Sequence, residues 1–218
     1  MHFFLIQFKI CKVNNEDAMK LSEQKRLHIL DAAEQLFYDK GVAHTSMDEV
    51  AKTAGVSKRT VYNHFDTKDA LFSAIIERMM MLLNSTQHIA FNTDKPIKEQ
   101  LMTIAQQECE LFKSAPFLKV AKIAFMHMMS QPDFAKQIGT HKVGCAVYFE
   151  QFLTDAQSAK QLVVEDKELA SKQFVYQLKS HIFYPRLYGF DVPSEAQERY
   201  LIAQTVDLFL ARYQAKSI

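Results

Sequence analysis

Between Ser57 and Phe65 the chain carries Lys58, Arg59, Thr60, Tyr62, Asn63 and His64, with no acidic residue. Six side chains able to donate hydrogen bonds on one short segment suit contact with nucleic acid. Arg59, forked and permanently charged, matches guanine O6 and N7. Asn63 suits an adenine edge or a phosphate, and Thr60 a thymine methyl. Lys58, Tyr62, His64 and Thr45 suit phosphates, which position a protein without specifying sequence. Lys68 opens the next helix, where free N–H groups also favour a phosphate.

Such side chains need a scaffold that presents them on one face. Residues 45–65 read T-S-M-D-E-V-A-K-T-A-G-V-S-K-R-T-V-Y-N-H-F. Ser46 and Glu49 have the capping-box spacing that opens a helix. Met47, Val50, Ala51 and Ala54 form its apolar stripe, Gly55 supplies a turn, and Ser57 caps the next helix. Val56, Val61 and Phe65 form the inward side. Two short helices across a tight turn are a device for reading the DNA major groove. Upstream, Ser22 is the expected N-cap of a first helix. Ile29, Leu30, Ala33, Leu36 and Phe37 share a face, and Gly41 ends the helix. Asp66 or Thr67 caps a fourth helix, expected from about Lys68 to Phe91.

Composition bounds the rest. The 218 residues are 48% hydrophobic and 23% charged, ordinary for a soluble globular chain. Five glycines, five prolines and ten methionines predict a mostly helical chain. The net charge of +1 does not announce a nucleic-acid partner, so the case rests on where charge sits. Cys11, Cys109 and Cys145 are widely spaced and odd in number. They form no disulfide framework or zinc motif and fit a reducing cytoplasm. They read as small buried hydrophobes, with a redox-sensing thiol as the alternative. The scattered histidines supply no metal motif, and no cofactor is expected. The apolar run at residues 3–11 is too short to span a membrane and lacks the basic flank of a signal peptide. Residues 1–21 are therefore expected to be an N-terminal extension, with residues 1–18 either a mis-called start or a poorly ordered segment. Met19 precedes what reads as an ordinary protein start.

Beyond Phe91, Pro96, Pro116 and Pro132 are each expected in the first turn of a helix. Apolar periodicity predicts helices at 97–113, 117–129, about 141–158 and about 166–183. Residues 185–193, P-R-L-Y-G-F-D-V-P, read as a loop. Ser194 and Gln197 form a capping box opening a last helix to about Tyr213. No strand alternation or repeat is evident.

Residues 23–83 resemble the N-terminal domain of the TetR family of bacterial transcriptional regulators. I-L-D-A-A-E-Q-L-F (29–37), K-G (40–41), T-S-M-D-E-V-A-K-T-A-G-V-S-K (45–58), V-Y-N-H-F (61–65) and K-D-A-L-F (68–72) carry the resemblance. Position 59 is often small in that family and is Arg here. F-Y-P-R-L-Y-G-F-D-V-P followed by V-D-L-F-L-A-R-Y is similar to the C-terminal end of the AcrR- or AefR-like subgroup. The resemblance implies an all-α fold of about nine helices. A three-helix helix-turn-helix domain at 22–83, with its motif at 46–65, is joined by a long helix to a ligand-binding and dimerisation domain at 84–218.

It also implies a cytoplasmic, ligand-responsive repressor, not an enzyme. The partners are double-stranded DNA, a second copy of the chain and an apolar small-molecule effector, with no membrane. DNA contacts fall to Thr45, Ser57, Lys58, Arg59, Thr60, Tyr62, Asn63, His64 and Lys68. In the body, Phe112, Met126, His127, Phe149, Phe152 and Tyr176 are candidates for an effector pocket, and equally for ordinary core. His127 and His181 lie in apolar segments as possible polar handles. The last two long helices carry Phe174, Leu178, Ile182, Leu201, Thr205, Leu208 and Phe209, which fit a dimer stripe or an intramolecular core. A DNA-binding architectural protein without ligand sensing is the first alternative. A helical enzyme with an accidental helix-turn-helix match is the second, and no nucleophile–base pair or phosphate loop supports it.

Overall fold

A computed structural model describes residues 21–84, 88–131 and 144–215. The expectations for residues 1–20, Cys11 and Pro132 lie outside the described residues. Nine helices are present among those described: α1 (Leu21–Lys40), α2 (Met47–Ala54), α3 (Lys58–His64), α4 (Lys68–Asn84), α5 (Ile97–Lys113), α6 (Ala115–Ser130), α7 (Phe149–Ser158), α8 (167–188) and α9 (Glu195–Tyr213). A 3₁₀ turn, Gly144–Val147, precedes α7. The described residues form two compact units that divide within α4, between Ser73 and Ala74.

In the first unit, Ile29, Leu30, Ala33 and Phe37 of α1 are buried, as are Val50, Val61, Leu71 and Phe72. Phe37 and Phe72 meet edge to face, ring centroids 6.3 Å apart. Gly41, at φ 82°, ends α1, and its N–H donates to the Phe37 carbonyl at 2.9 Å. Ser22 is not the N-cap of α1, because the helix already includes Leu21. Thr67 rather than Asp66 caps α4, its hydroxyl accepting the Ala70 N–H at 3.0 Å. This helix does not reach Phe91, since the backbone is already non-helical at residues 88–91.

The second unit is built on aromatic contacts. Phe149 stacks on Phe174 at 4.8 Å. Phe174 meets Phe209 at 5.2 Å, and Phe209 lies 4.7 Å from Tyr213. Phe183 contacts Phe112 and Phe117, each at 5.5 Å. Pro96 serves as N-cap of α5 and Pro116 sits in the first turn of α6. The Ser194–Gln197 capping box opens α9 as expected.

The region 185–193 is not all loop. Helix α8 runs as Lys167–Leu178, widens into a π turn at Lys179–Phe183, and closes with a last turn at Tyr184–Tyr188. Pro185 has no N–H, and its ring would clash with the carbonyl one turn back. A wider turn absorbs that conflict without ending the helix. The Tyr184 N–H reaches back to the Lys179 carbonyl, and Arg186 Nη1 donates to the Ile182 carbonyl at 2.7 Å. Gly189, at φ 74°, provides the stop.

Arg186 is held in turn by Glu198, at 3.4 Å, and Lys113 Nζ lies 2.6 Å from the same carboxylate. This half-buried network ties α5, α8 and α9 together. Phe149 is fully buried and touches Phe152, Phe174 and Phe209. Phe149→Ala is expected to cost about 3–5 kcal/mol of unfolding free energy, measured by urea titration. A loss under about 1 kcal/mol would show that the aromatic cluster is not the organising core.

Candidate nucleic-acid interface

Helix α2 is fastened at both ends. Ser46 Oγ accepts the Glu49 N–H at 3.2 Å, and Glu49 Oε2 accepts the Ser46 N–H at 3.0 Å. Lys40 Nζ lies 2.8 Å from Glu49 Oε1. The Lys40 ammonium, with the Ser46 N–H, holds the Glu49 carboxyl down to about 2. Gly55 takes the left-handed conformation, φ 66° and ψ 30°, which L side chains rarely adopt. Val56 N–H then closes on the Ala51 carbonyl at 3.0 Å. Ser57 caps α3 by accepting the Thr60 N–H at 3.1 Å, and the two hydroxyls share a 2.8 Å hydrogen bond.

Val61 and Phe65 are buried, so the register of α3 is set by its inward face. The Arg26 guanidinium lies over the Phe65 ring, 5.1 Å from its centroid. Lys58, Arg59, Tyr62 and Asn63 are exposed, and Thr60 and His64 are half-buried. Arg59 and Asn63 hold no hydrogen bond or ion pair among the described residues. They are four residues apart, on one helix face. Lys58 pairs with Asp48 at 2.8 Å. Both partners are well exposed, and such a surface pair opens at little cost.

Two candidates are placed differently from the sequence expectation. Thr45 is 2% exposed, and its hydroxyl donates to the Gly41 carbonyl at 2.9 Å. It fastens the α1–α2 connection and offers no side chain to a phosphate. Lys68 Nζ donates to the carbonyls of Val42 at 2.8 Å and Ala43 at 3.0 Å. Its ammonium is a tether from α4 to the same connection, which makes its first role structural. Neither contact is legible in the sequence, because the partners are backbone carbonyls brought close only by the fold.

The candidates in the second unit separate in the same way. Phe112, Phe149, Phe152 and His127 are buried, whereas Met126 and Tyr176 are 49% and 52% exposed. His181 is exposed on the π turn. Two shallow clefts, of about 360 and 310 Å³, are lined by other residues. Cys109 and Cys145 are buried free thiols; burial pushes Cys109 up to about 12 and Cys145 well above its ordinary value. Suppression of the thiolate argues against redox sensing at these two.

Phe174, Leu178, Ile182, Thr205 and Phe209 are intramolecular core, not an outward stripe. The exposed apolar positions sit beside them. Leu169 and Tyr176 are exposed on α8, and Leu208 is 60% exposed on α9, with Leu201 half-buried one heptad before it. The α8 and α9 surfaces meet in the cleft lined by Gln173, Gln177, Leu208 and Arg212.

Among the described residues no helix is long and apolar enough to cross a membrane, and no group of three metal-ligating side chains occurs. The family model for bacterial regulatory proteins of the tetR family matches residues 29–75. That for the C-terminal domain of AefR-like transcriptional repressors matches residues 99–215. The chain is 48% identical over 56 residues to the HTH-type transcriptional regulator AcrR of Shigella flexneri, a match spanning 26% of each chain. The aligned stretch is thus about a quarter of that relative. A solved TetR-family regulator from Pseudomonas syringae pv. tomato is 27% identical, with a TM-score of 0.78, covering 90% of this chain and all of that one. The solved flavonoid-responsive regulator FrrA is 25% identical, with a TM-score of 0.72, covering 89% and 99%. Helix-turn-helix head, helical body and both family models agree: the chain belongs to the TetR family of bacterial transcriptional regulators, with a C-terminal domain of the AefR-like kind.

Proposed function

We propose that the chain is a sequence-specific DNA-binding repressor that acts as a homodimer on a two-fold operator and is released by an apolar small molecule. The observation that carries this reading is α3 itself. Val61 and Phe65 lock its inner side, while Arg59 and Asn63 are exposed, with no side-chain partner among the described residues. Arg59 is assigned as base reader, with Asn63 beside it. Lys58, Tyr62 and His64, with the Ser57–Thr60 end of the helix, contact phosphates. A dimer places two such helices about 34–36 Å apart, one DNA turn. The α8–α9 surface around Leu169, Tyr176, Leu201 and Leu208 is assigned as the dimer face. FrrA, described as flavonoid-responsive, supports an effector-sensing body by likeness.

Binding sites selected from random duplex DNA test the main reading, since a two-fold consensus is expected. Absence of any sequence preference would favour an architectural role. On the selected site, Arg59→Ala is expected to cost about 1–3 kcal/mol and to relax preference at one base pair. An equal loss on every sequence would make Arg59 a phosphate contact instead.

Lys68→Met is expected to lower the melting temperature as well as DNA affinity, because it removes a charged donor from two carbonyls, a loss of about 1.5–3 kcal/mol at most. Unchanged stability with weakened DNA binding would restore Lys68 as a plain phosphate contact. Leu208→Glu places a charge on the assigned dimer face. Sedimentation is expected to show a shift to monomer and a loss of operator affinity of tenfold or more, about 1.4 kcal/mol. A variant that stays dimeric would move the interface elsewhere.

A further inference from the structure

The polar groups buried in the second unit are answered almost everywhere. Glu198 takes Lys113 and Arg186. Gln100 donates to the carbonyls of Asn92 and Lys95 and accepts the Asn92 N–H. Glu108 on α5 is the exception. The residue is 3% exposed. Oε2 accepts the Cys145 N–H at 2.7 Å. Oε1 is buried and, among the described residues, is the side-chain oxygen left with no hydrogen-bond partner.

The surroundings are built to hold that carboxyl in place. Gly144, at φ 66°, lies directly against it; a Cβ there would stand 2.5 Å from both oxygens. Only glycine lets the following N–H approach so closely. Lys179, on the π turn of α8, lies close enough for its charge to act on Glu108. Its ammonium faces the rings of Tyr176 and Phe112, at 5.1 and 5.7 Å, and forms no ion pair with the carboxylate. Tyr148, whose ring stacks on His88 at 5.0 Å, completes the locus. Burial pushes Glu108 up, against the pull of the Cys145 N–H, the Lys179 charge and, more weakly, the Cys145 thiol.

A buried acceptor with no donor is costly, and an apolar residue of the same shape would cost less. Such a group calls for a specific explanation, and a donor that arrives with a ligand is one. We propose that Glu108 Oε1 is the polar anchor of the effector site, and that the effector is a neutral aromatic molecule bearing a hydroxyl donor. This rests on the effector-responsive reading above. In the carboxylate form, which the Cys145 N–H and Lys179 favour, Oε1 can only accept, so a ligand that pairs with it brings a donor. A carboxyl and an ammonium in one small locus disfavour a net charge of either sign. Phe112, Tyr148 and Tyr176 supply ring surface for an aromatic body. The π turn that sets Lys179 beside this locus is a feature found often at functional sites.

The test uses the full-length protein and two matched probes, 2-phenylphenol and its methyl ether, 2-methoxybiphenyl. Binding is followed by calorimetry and by release of the selected operator. The phenol is expected to bind at least about tenfold more tightly than the ether, the effect of one unmatched buried acceptor. Glu108→Gln keeps an oxygen for the Cys145 N–H and can place an amide donor where Oε1 stood, so the preference is expected to vanish or reverse. Equal binding of the two probes by the wild type, or a wild-type preference for the ether, overturns the proposal without recourse to any variant. A folded Gln variant that keeps the wild-type ratio overturns it as well. Operator binding without probe is measured on the same samples. No specific DNA binding overturns the underlying reading, whereas tight DNA binding with neither probe bound overturns the anchor alone.

Discussion

A helix of seven residues does not hold itself together in water, because nucleation is costly and each added residue contributes little. Helix α3 exists because its surroundings make it. The Ser57 hydroxyl answers one of its free N–H groups, Gly55 delivers the chain at the right angle, and Val61 and Phe65 are buried in the head. The same burial decides which side chains face outward. A change in how Val61 or Phe65 packs would rotate Arg59 and Asn63 away from their face. The outward face of α3 is thus a consequence of the head's core, and Thr45 and Lys68 fasten the α1–α2 connection.

That dependence explains what could be read from the sequence. The capping boxes at Ser46–Glu49 and Ser194–Gln197, the Ser57 cap and the stops at Gly41 and Gly55 are local signals, complete within four or five residues. All of them stand in the structure. The partners of Thr45 and Lys68 are carbonyls at Gly41, Val42 and Ala43, and no spacing rule reports a side chain folding back onto a loop. Residues 185–193 read as a loop in the sequence, yet Pro185 lies within a helix. Its missing N–H is absorbed by a π turn and an arginine, a solution that depends on Glu198 from another helix. Helix α8 is apolar on more than one side. Periodicity therefore could not tell Phe174, in the core, from Tyr176, two residues on and exposed.

The second unit shows two treatments of buried charge. Around Glu198, two cations answer one carboxylate, and three helices are pinned by it. Around Glu108, one oxygen is matched by a backbone N–H and the other is left open, while the nearest ammonium rests on aromatic rings. The first arrangement makes sense as architecture alone. The second does not, since glycine at 144 has to be kept merely to seat a carboxyl that destabilises the unit. Stability given up at one site is the pattern expected where function sets the residue.

Energy decides whether such a site is large enough to matter. By linkage, an effector weakens DNA binding only by the difference between its affinities for the two states of the protein. A hundredfold release of operator requires about 2.7 kcal/mol of difference. Answering one buried orphan acceptor is worth about 1–3 kcal/mol, the same order. The full amount is expressed only if the DNA-competent state withholds Oε1 from the ligand. A shape change elsewhere is then not needed to supply the coupling. It is enough that the state which opens the Glu108 locus is not the state that holds α3 on DNA.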